Sequence, residues 1–114
     1  MKKIEVVCPL GRLEKVIVGM EKEGIGGLTY IETKGRGQVA RPQITSSRGT
    51  SSFVPAFNAN STIILVVKDS VVDKIVNRLL ELTSTGMAGE GKIFVSDVDD
   101  AIDIGSKTRG EPAI

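Results

Sequence analysis

The run from Thr85 to Val95, TGMAGEGKIFV, places glycines at 86, 89 and 91, a lysine at 92 and then three apolar residues. Glycine tolerates positive φ without steric cost, so these three can turn several main-chain N–H groups toward one point. Such a nest binds anions, and the Lys92 ammonium at its rim adds a full positive charge. Together they suit phosphate. The P-loop pattern is not met, and a permissive turn between a helix and a strand, with a solvated lysine, accounts for the same residues. Taken alone, the run leaves both readings open.

The rest of the composition narrows the chemistry. There is no histidine, which excludes a Ser-His-Asp triad and histidine general-base catalysis. A transition-metal site would need carboxylates alone, because Cys8 is the single cysteine. Net charge is +1, so there is no general pull toward nucleic acid or an anionic membrane, and an anion must be held by a local site. Apolar runs are short, and no charged-then-apolar leader precedes the first strand, so direct membrane insertion is not expected and a cytoplasmic protein is. With 114 residues the chain reads as one domain, residues 1–114, with a core small enough that a homo-oligomer is unsurprising.

The elements that must position the glycine run follow from periodicity. KIEVVC, residues 3–8, is β-branched and reads as a strand. Leu13, Val16, Ile17 and Met20 recur at helical spacing, and Gly24 closes that helix. GLTYIET, residues 27–33, reads as a second strand, and STIILVV, residues 61–67, as a central one. Ser70 and Asp73 form a capping-box spacing ahead of a second helix with Val72, Ile75, Val76, Leu79 and Leu80 on its buried stripe. KIFVSDV is the fourth strand. The order is βαββαβ, an α+β ferredoxin-like arrangement with two helices on one sheet face and the other face bare. Another copy of the same sheet is the simplest cover. Cys8 reads as a small buried hydrophobe.

Three segments lie outside this minimum: a long loop at 34–60, the glycine-rich loop at 83–92 and a C-terminal loop at 103–114. The first spans twenty-seven residues where a hairpin needs a few, and a connection of that length is functional or disordered. The central strands carry no aromatic residues, which removes an RNA-recognition sheet. No residue stands out as a catalytic base.

With the elements placed, TGMAGEGKIFVSDV resembles the defining loop of the PII signal-transduction family, usually Thr-Gly-x-x-Gly-Asp-Gly-Lys-Ile-Phe-Val. Glu90 stands at the usual Asp. The likeness extends to MKKIEVV, to GIGGLTYIETKGRG and to the ending TRGEPAI. It implies a homotrimer with sheets facing inward, a regulator of nitrogen metabolism and not an enzyme, and adenine nucleotide (ATP, ADP or AMP) bound between subunits. By the same resemblance Gly89, Glu90, Gly91 and Lys92 belong to the phosphate site, and Thr29, Gly35, Gly37, Gln38, Val66 and Thr85 to the base and ribose. Thr29 and Val66 read equally well as strand residues facing the core, and Gly35 and Gly37 as bends into the long loop.

The chain also departs from the family pattern. Where the family reads Gly-Phe-Gly-Arg-Gln it has Gly35-Arg36-Gly37-Gln38-Val39, and valine cannot ligate magnesium. Asn60 replaces a lysine that pairs with 2-oxoglutarate, and Asp103-Ile104-Gly105 replaces Arg-Ile-Arg. A hydrogen bond to a charged group is worth about 1.5 to 3 kcal/mol, so several such losses favour ADP or AMP over the triphosphate and argue against a 2-oxoglutarate response and its magnesium. Arg36, Arg41, Lys107 and Arg109 are candidates to restore positive potential. The long loop, with Arg41, Arg48, Thr50 and Ser52, is expected to contact a membrane transporter or a metabolic enzyme. Tyr30, the only tyrosine, lies in a strand, so tyrosine modification at the loop tip is excluded, while its hydroxyls read either as phosphorylation sites or as ordinary solvated residues. The alternative function is a trimeric scaffold, or a regulator of carbon or metal transport, with altered or lost nucleotide binding.

Overall fold

The structure, a computed structural model, describes residues 1–37, 44–45, 49 and 52–114. Its elements are β1 (Lys2–Pro9), α1 (Leu13–Lys22), β2 (Leu28–Gly35), β3 (Ile44–Thr45), β4 (Ser52–Phe53), β5 (Asn58–Val67), α2 (Val72–Thr83) and β6 (Lys92–Asp97). β2, β5, β1 and β6 form one sheet in that order, each pair antiparallel. This is the α+β ferredoxin-like arrangement, and β1 and β5, the most apolar strands, take its centre. β3 and β4 pair only with each other, Ile44 opposite Phe53, inside the long connection.

Strand alternation assigns the two sheet faces. Ile4, Val6 and Cys8 of β1 and Ile63, Leu65 and Val67 of β5 are buried against Val16 and Met20 of α1 and Ile75, Leu79 and Leu82 of α2. The opposite face carries Glu5, Val7, Ile64, Val66, Ile31 and Phe94, half-buried or exposed. No layer covers it among the described residues. Cys8 is 2% exposed with its sulfur 3.7 Å from the Ser61 hydroxyl, and burial pushes its thiol pKa up. It is a core side chain.

Helix ends partly follow the sequence signals. Gly24 has φ +80°, its N–H donates to the Glu21 carbonyl at 3.0 Å, and the Ile25 N–H reaches the Met20 carbonyl at 2.9 Å. That is the Schellman closure glycine permits, with Ile25 packed on the core. The capping box expected at Ser70 is not formed. A 3-10 turn, Asp69–Val71, leads into α2 instead, and Val71 sits at its N-cap with no side-chain bond. The apolar stripe of α2 also ends differently: Leu80 is 47% exposed, and Leu82 is buried in its place. Leu82 packs where α1 presents Gly19, whose added Cβ would meet a Leu82 methyl at 2.3 Å.

No helix among the described residues is long and apolar enough to cross a membrane. The missing cap gives a measurable contrast within α2. Ser70→Ala is expected to leave stability within about 0.5 kcal/mol, since no cap bond is lost, whereas Leu79→Ala should cost about 2 to 5 kcal/mol in urea unfolding at fixed protein concentration.

Candidate functional site

The glycine loop joins the end of α2 to the start of β6, and its glycines are used as their spacing predicts. Gly86, Gly89 and Gly91 have φ of +87°, +87° and +134°. Gly91 is constrained twice, because a Cβ there would lie 2.0 Å from the Val7 carbonyl oxygen of β1. Only a bare α-carbon fits that approach.

Glu90 organises the other end of the loop. Both of its carboxylate oxygens accept from the Thr85 N–H at 2.8 Å, and the Thr85 hydroxyl also donates to it. The Ser84 hydroxyl lies 3.4 Å away and itself accepts from the Gly86 N–H at 3.1 Å. The bond from the Thr85 hydroxyl, followed by that from the Thr85 main chain, holds the Glu90 carboxyl below the usual carboxylate range. Among the described residues, the N–H groups of Ala88 and Gly89 meet no protein acceptor, and the exposed Lys92 ammonium has no ion-pair partner.

Beneath the loop lies an open cleft of about 590 Å³. Its floor is apolar, with Val76 and Leu80 of α2 and Ile93 and Val95 of β6, and its rim carries Gly89, Glu90, Gly91 and Lys92. The exposed side chain of Leu80 therefore supplies part of this floor. Apolar walls beside N–H donors that meet no acceptor among the described residues, and one cation, suit a ligand with an apolar part and an anionic tail.

The C-terminal loop is a folded hairpin. Ile102 bridges Arg109, and the Asp103 N–H donates to the Thr108 carbonyl at 2.9 Å. The Asp103 carboxylate accepts from the Ser106 N–H at 2.7 Å and the Ser106 hydroxyl at 2.9 Å, bonds that hold its pKa down. Arg109 is bonded to Asp100 through two guanidinium nitrogens, so its charge is largely neutralised within the hairpin. Lys107, at φ +63°, has no such partner among the described residues.

The remaining expected site residues stand apart from the loop. Thr29, on edge strand β2, pairs with Ile64, and Val66 lies two residues further along β5, both on the face away from the helices. Gly35 ends β2, where its added Cβ would meet the Asn60 amide at 2.4 Å, and Gly37 follows in the connection. Lys92 begins β6, the opposite edge. The ladder from Lys92 runs through Val7 and Thr62 to Ile31, so three strand spacings, about 14 Å, separate the two edges. One chain thus brings together Thr85, Gly89, Glu90, Gly91 and Lys92, and holds Thr29, Gly35, Gly37 and Val66 elsewhere. Gln38, Arg41, Arg48 and Thr50 lie outside the described residues; Ser52 is in β4, exposed. Periodicity and motif did not indicate the Glu90 clasp or the Arg109–Asp100 pair. A carboxylate four residues past the first loop glycine, and an Asp nine residues before Arg109, were the available signals.

The family profile described as nitrogen regulatory protein P-II matches residues 1–108. A nitrogen regulatory protein P-II of Pyropia yezoensis is 34% identical over 104 residues, 91% of each chain. Proteins of the same description from Rhodospirillum rubrum and Synechocystis sp. are each 33% identical over 114 residues, covering all of both chains.

Two outcomes test this geometry. Gly91→Ala should destabilise the fold by about 2 to 5 kcal/mol in denaturant unfolding, because it meets both the strained φ and the Val7 carbonyl. The lowered Asp103 pKa means the carboxylate supports the hairpin above its ordinary titration range and loses that support as pH falls through the lower, folded value. The Ser106 amide resonance should therefore hold its position down to the ordinary carboxylate range and shift only on further acidification; Asp103→Asn should abolish that late shift.

Proposed function

The chain belongs to the nitrogen regulatory protein P-II family, and on that premise we propose that it is a cytoplasmic homotrimeric regulator that binds adenine nucleotides between subunits. It works by binding, not by catalysis. The observation that carries this reading is the partition of the expected contacts. The phosphate-suited loop and Lys92 lie at the β6 edge on one side, while Thr29, Val66, Gly35 and Gly37 lie at or near the β2 edge on the other. A second copy that brings its β2 edge to this β6 edge completes the site, and covers apolar surface on the open sheet face as it does so.

The signal leaves through the long connection between β2 and β5. Gly35 and Gly37 stand at its base, so a nucleotide held there favours one arrangement of that connection over others. The target is a membrane transporter or a metabolic enzyme, with nitrogen metabolism as the setting. Arg109 is spent on Asp100 and the Asp103 carboxylate stands in the same hairpin, so the C-terminal loop offers Lys107 as the cation with no ion-pair partner among the described residues. That supply of charge favours ADP or AMP over ATP, and Asn60 in place of a lysine leaves 2-oxoglutarate without its charge partner.

Calorimetric titration with ATP, ADP and AMP, each with and without 2-oxoglutarate and magnesium, tests the reading, together with light scattering for the oligomer. The expected result is a trimer that binds ADP or AMP at least as tightly as ATP, with no gain from 2-oxoglutarate. Lys92→Ala should weaken binding about 10- to 100-fold, as loss of one charge-assisted contact does. A trimer that binds none of the three nucleotides supports the scaffold instead.

A further inference from the structure

We propose that Glu90 is a positioning residue, which holds the glycine loop in its phosphate-receiving shape without itself touching the ligand; this rests on the phosphate reading given above. The loop has two attachments. At its C-terminal end Gly91 is pressed against the Val7 carbonyl, a contact that fixes where the chain enters β6. At its neck the Glu90 carboxylate gathers the Thr85 N–H, the Thr85 hydroxyl and, at 3.4 Å, the Ser84 hydroxyl, and the Ser84 oxygen in turn holds the Gly86 N–H. Residues 84–90 are thereby closed into a ring by one side chain.

The consequence follows from conformational entropy. Three glycines make this the most permissive stretch near the cleft, and an unclasped loop would have to be ordered by the ligand itself. The clasp does that ordering beforehand, the usual route by which preorganisation raises affinity. It also sorts the donors. Those at Ser84, Thr85 and Gly86 are taken by the clasp, whereas the Ala88 and Gly89 N–H groups and the Lys92 ammonium, which meet no partner among the described residues, are left for an external anion. Thr85 is therefore assigned to the brace and not to the ligand.

The test compares the full-length protein with Glu90→Gln, Glu90→Asp and Thr85→Val. Calorimetry with inorganic triphosphate and with ADP measures binding, and hydrogen exchange reads the Thr85 amide. Glu90→Gln should weaken both ligands by a similar factor, on the order of tenfold, and lose Thr85 protection while the melting temperature hardly moves, because the clasp lies at the surface. Glu90→Asp keeps the carboxylate and should recover most of the affinity. Thr85→Val keeps the main-chain N–H and should lose about two- to threefold. Tighter anion binding by Glu90→Gln would show a carboxylate that competes with the ligand, and would overturn the proposal, as would equal binding by wild type and Glu90→Gln or failure of Glu90→Asp to recover. Wild-type protein that binds neither probe overturns the phosphate reading and this inference together.

Discussion

Gly91 lies so close to β1 that a Cβ added to it would stand 2.0 Å from the carbonyl oxygen of Val7. No side chain fits between them, so the chain can join β6 to β1 only if a glycine stands there. That contact sets the level at which the sheet begins to accept β6, and hence where Lys92 stands against Val7 in the ladder. A residue with a Cβ would force the loop outward and carry the lysine with it. The position of a cation is thus decided by the absence of a methyl group.

What is built on this contact is a loop with its donors divided. The Glu90 carboxylate sits among hydroxyl and N–H groups that stabilise its charge, which explains both its lowered pKa and the compactness of the neck. Lys92 lies just beyond, without a counter-charge among the described residues. Two opposite charges two residues apart stay unpaired because strand alternation and the turn at Gly91 aim them differently. The carboxylate faces the neck of the loop, and the ammonium remains at the rim of the cleft, where the apolar surface of Leu80, Ile93 and Val95 begins.

Much of the fold was readable because apolar periodicity and burial coincide. Val16, Met20, Ile75 and Leu79 are buried as their helical spacing predicts, and 61–67 is the central strand its continuous apolar run suggested, although which of its apolar residues face the helices was not legible, since Ile64 and Val66 lie on the open face. The failures have local causes. β5 begins at Asn58 and not Ser61, since Asn58 to Asn60 pair with β2 through the main chain, which leaves no side-chain signature. Ser70 and Asp73 have capping-box spacing, but a 3-10 turn moves the helix start to Val72 and places both residues where no cap bond forms. The glycines of the site were legible because positive φ restricts residue type. Glu90 was legible only as an acid beside them, since its partners are chosen by how the loop closes and not by spacing.

The division of the expected nucleotide contacts between the two sheet edges is a consequence of strand order. In the sequence Thr29 precedes Lys92 by most of the chain, and nothing in their spacing says whether they meet; the order β2-β5-β1-β6 places them at opposite margins. Among the described residues each margin is an unpaired strand edge beside apolar surface, Ile31 on β2 and Phe94 and Val95 on β6, and an isolated chain gains nothing from leaving either open. Joining one copy's β2 edge to the next copy's β6 edge is a head-to-tail contact, which forms a ring where the rotation between copies closes and an open filament where it does not. On the proposed reading, a ring in which every junction carries one glycine loop and one set of β2 residues would couple ligand occupancy to assembly, because a nucleotide at a junction would touch two protomers. The same surfaces that make the monomer incomplete would then make its ligand a link between subunits, and any change of affinity at one junction would be felt as a change in the stability of the ring.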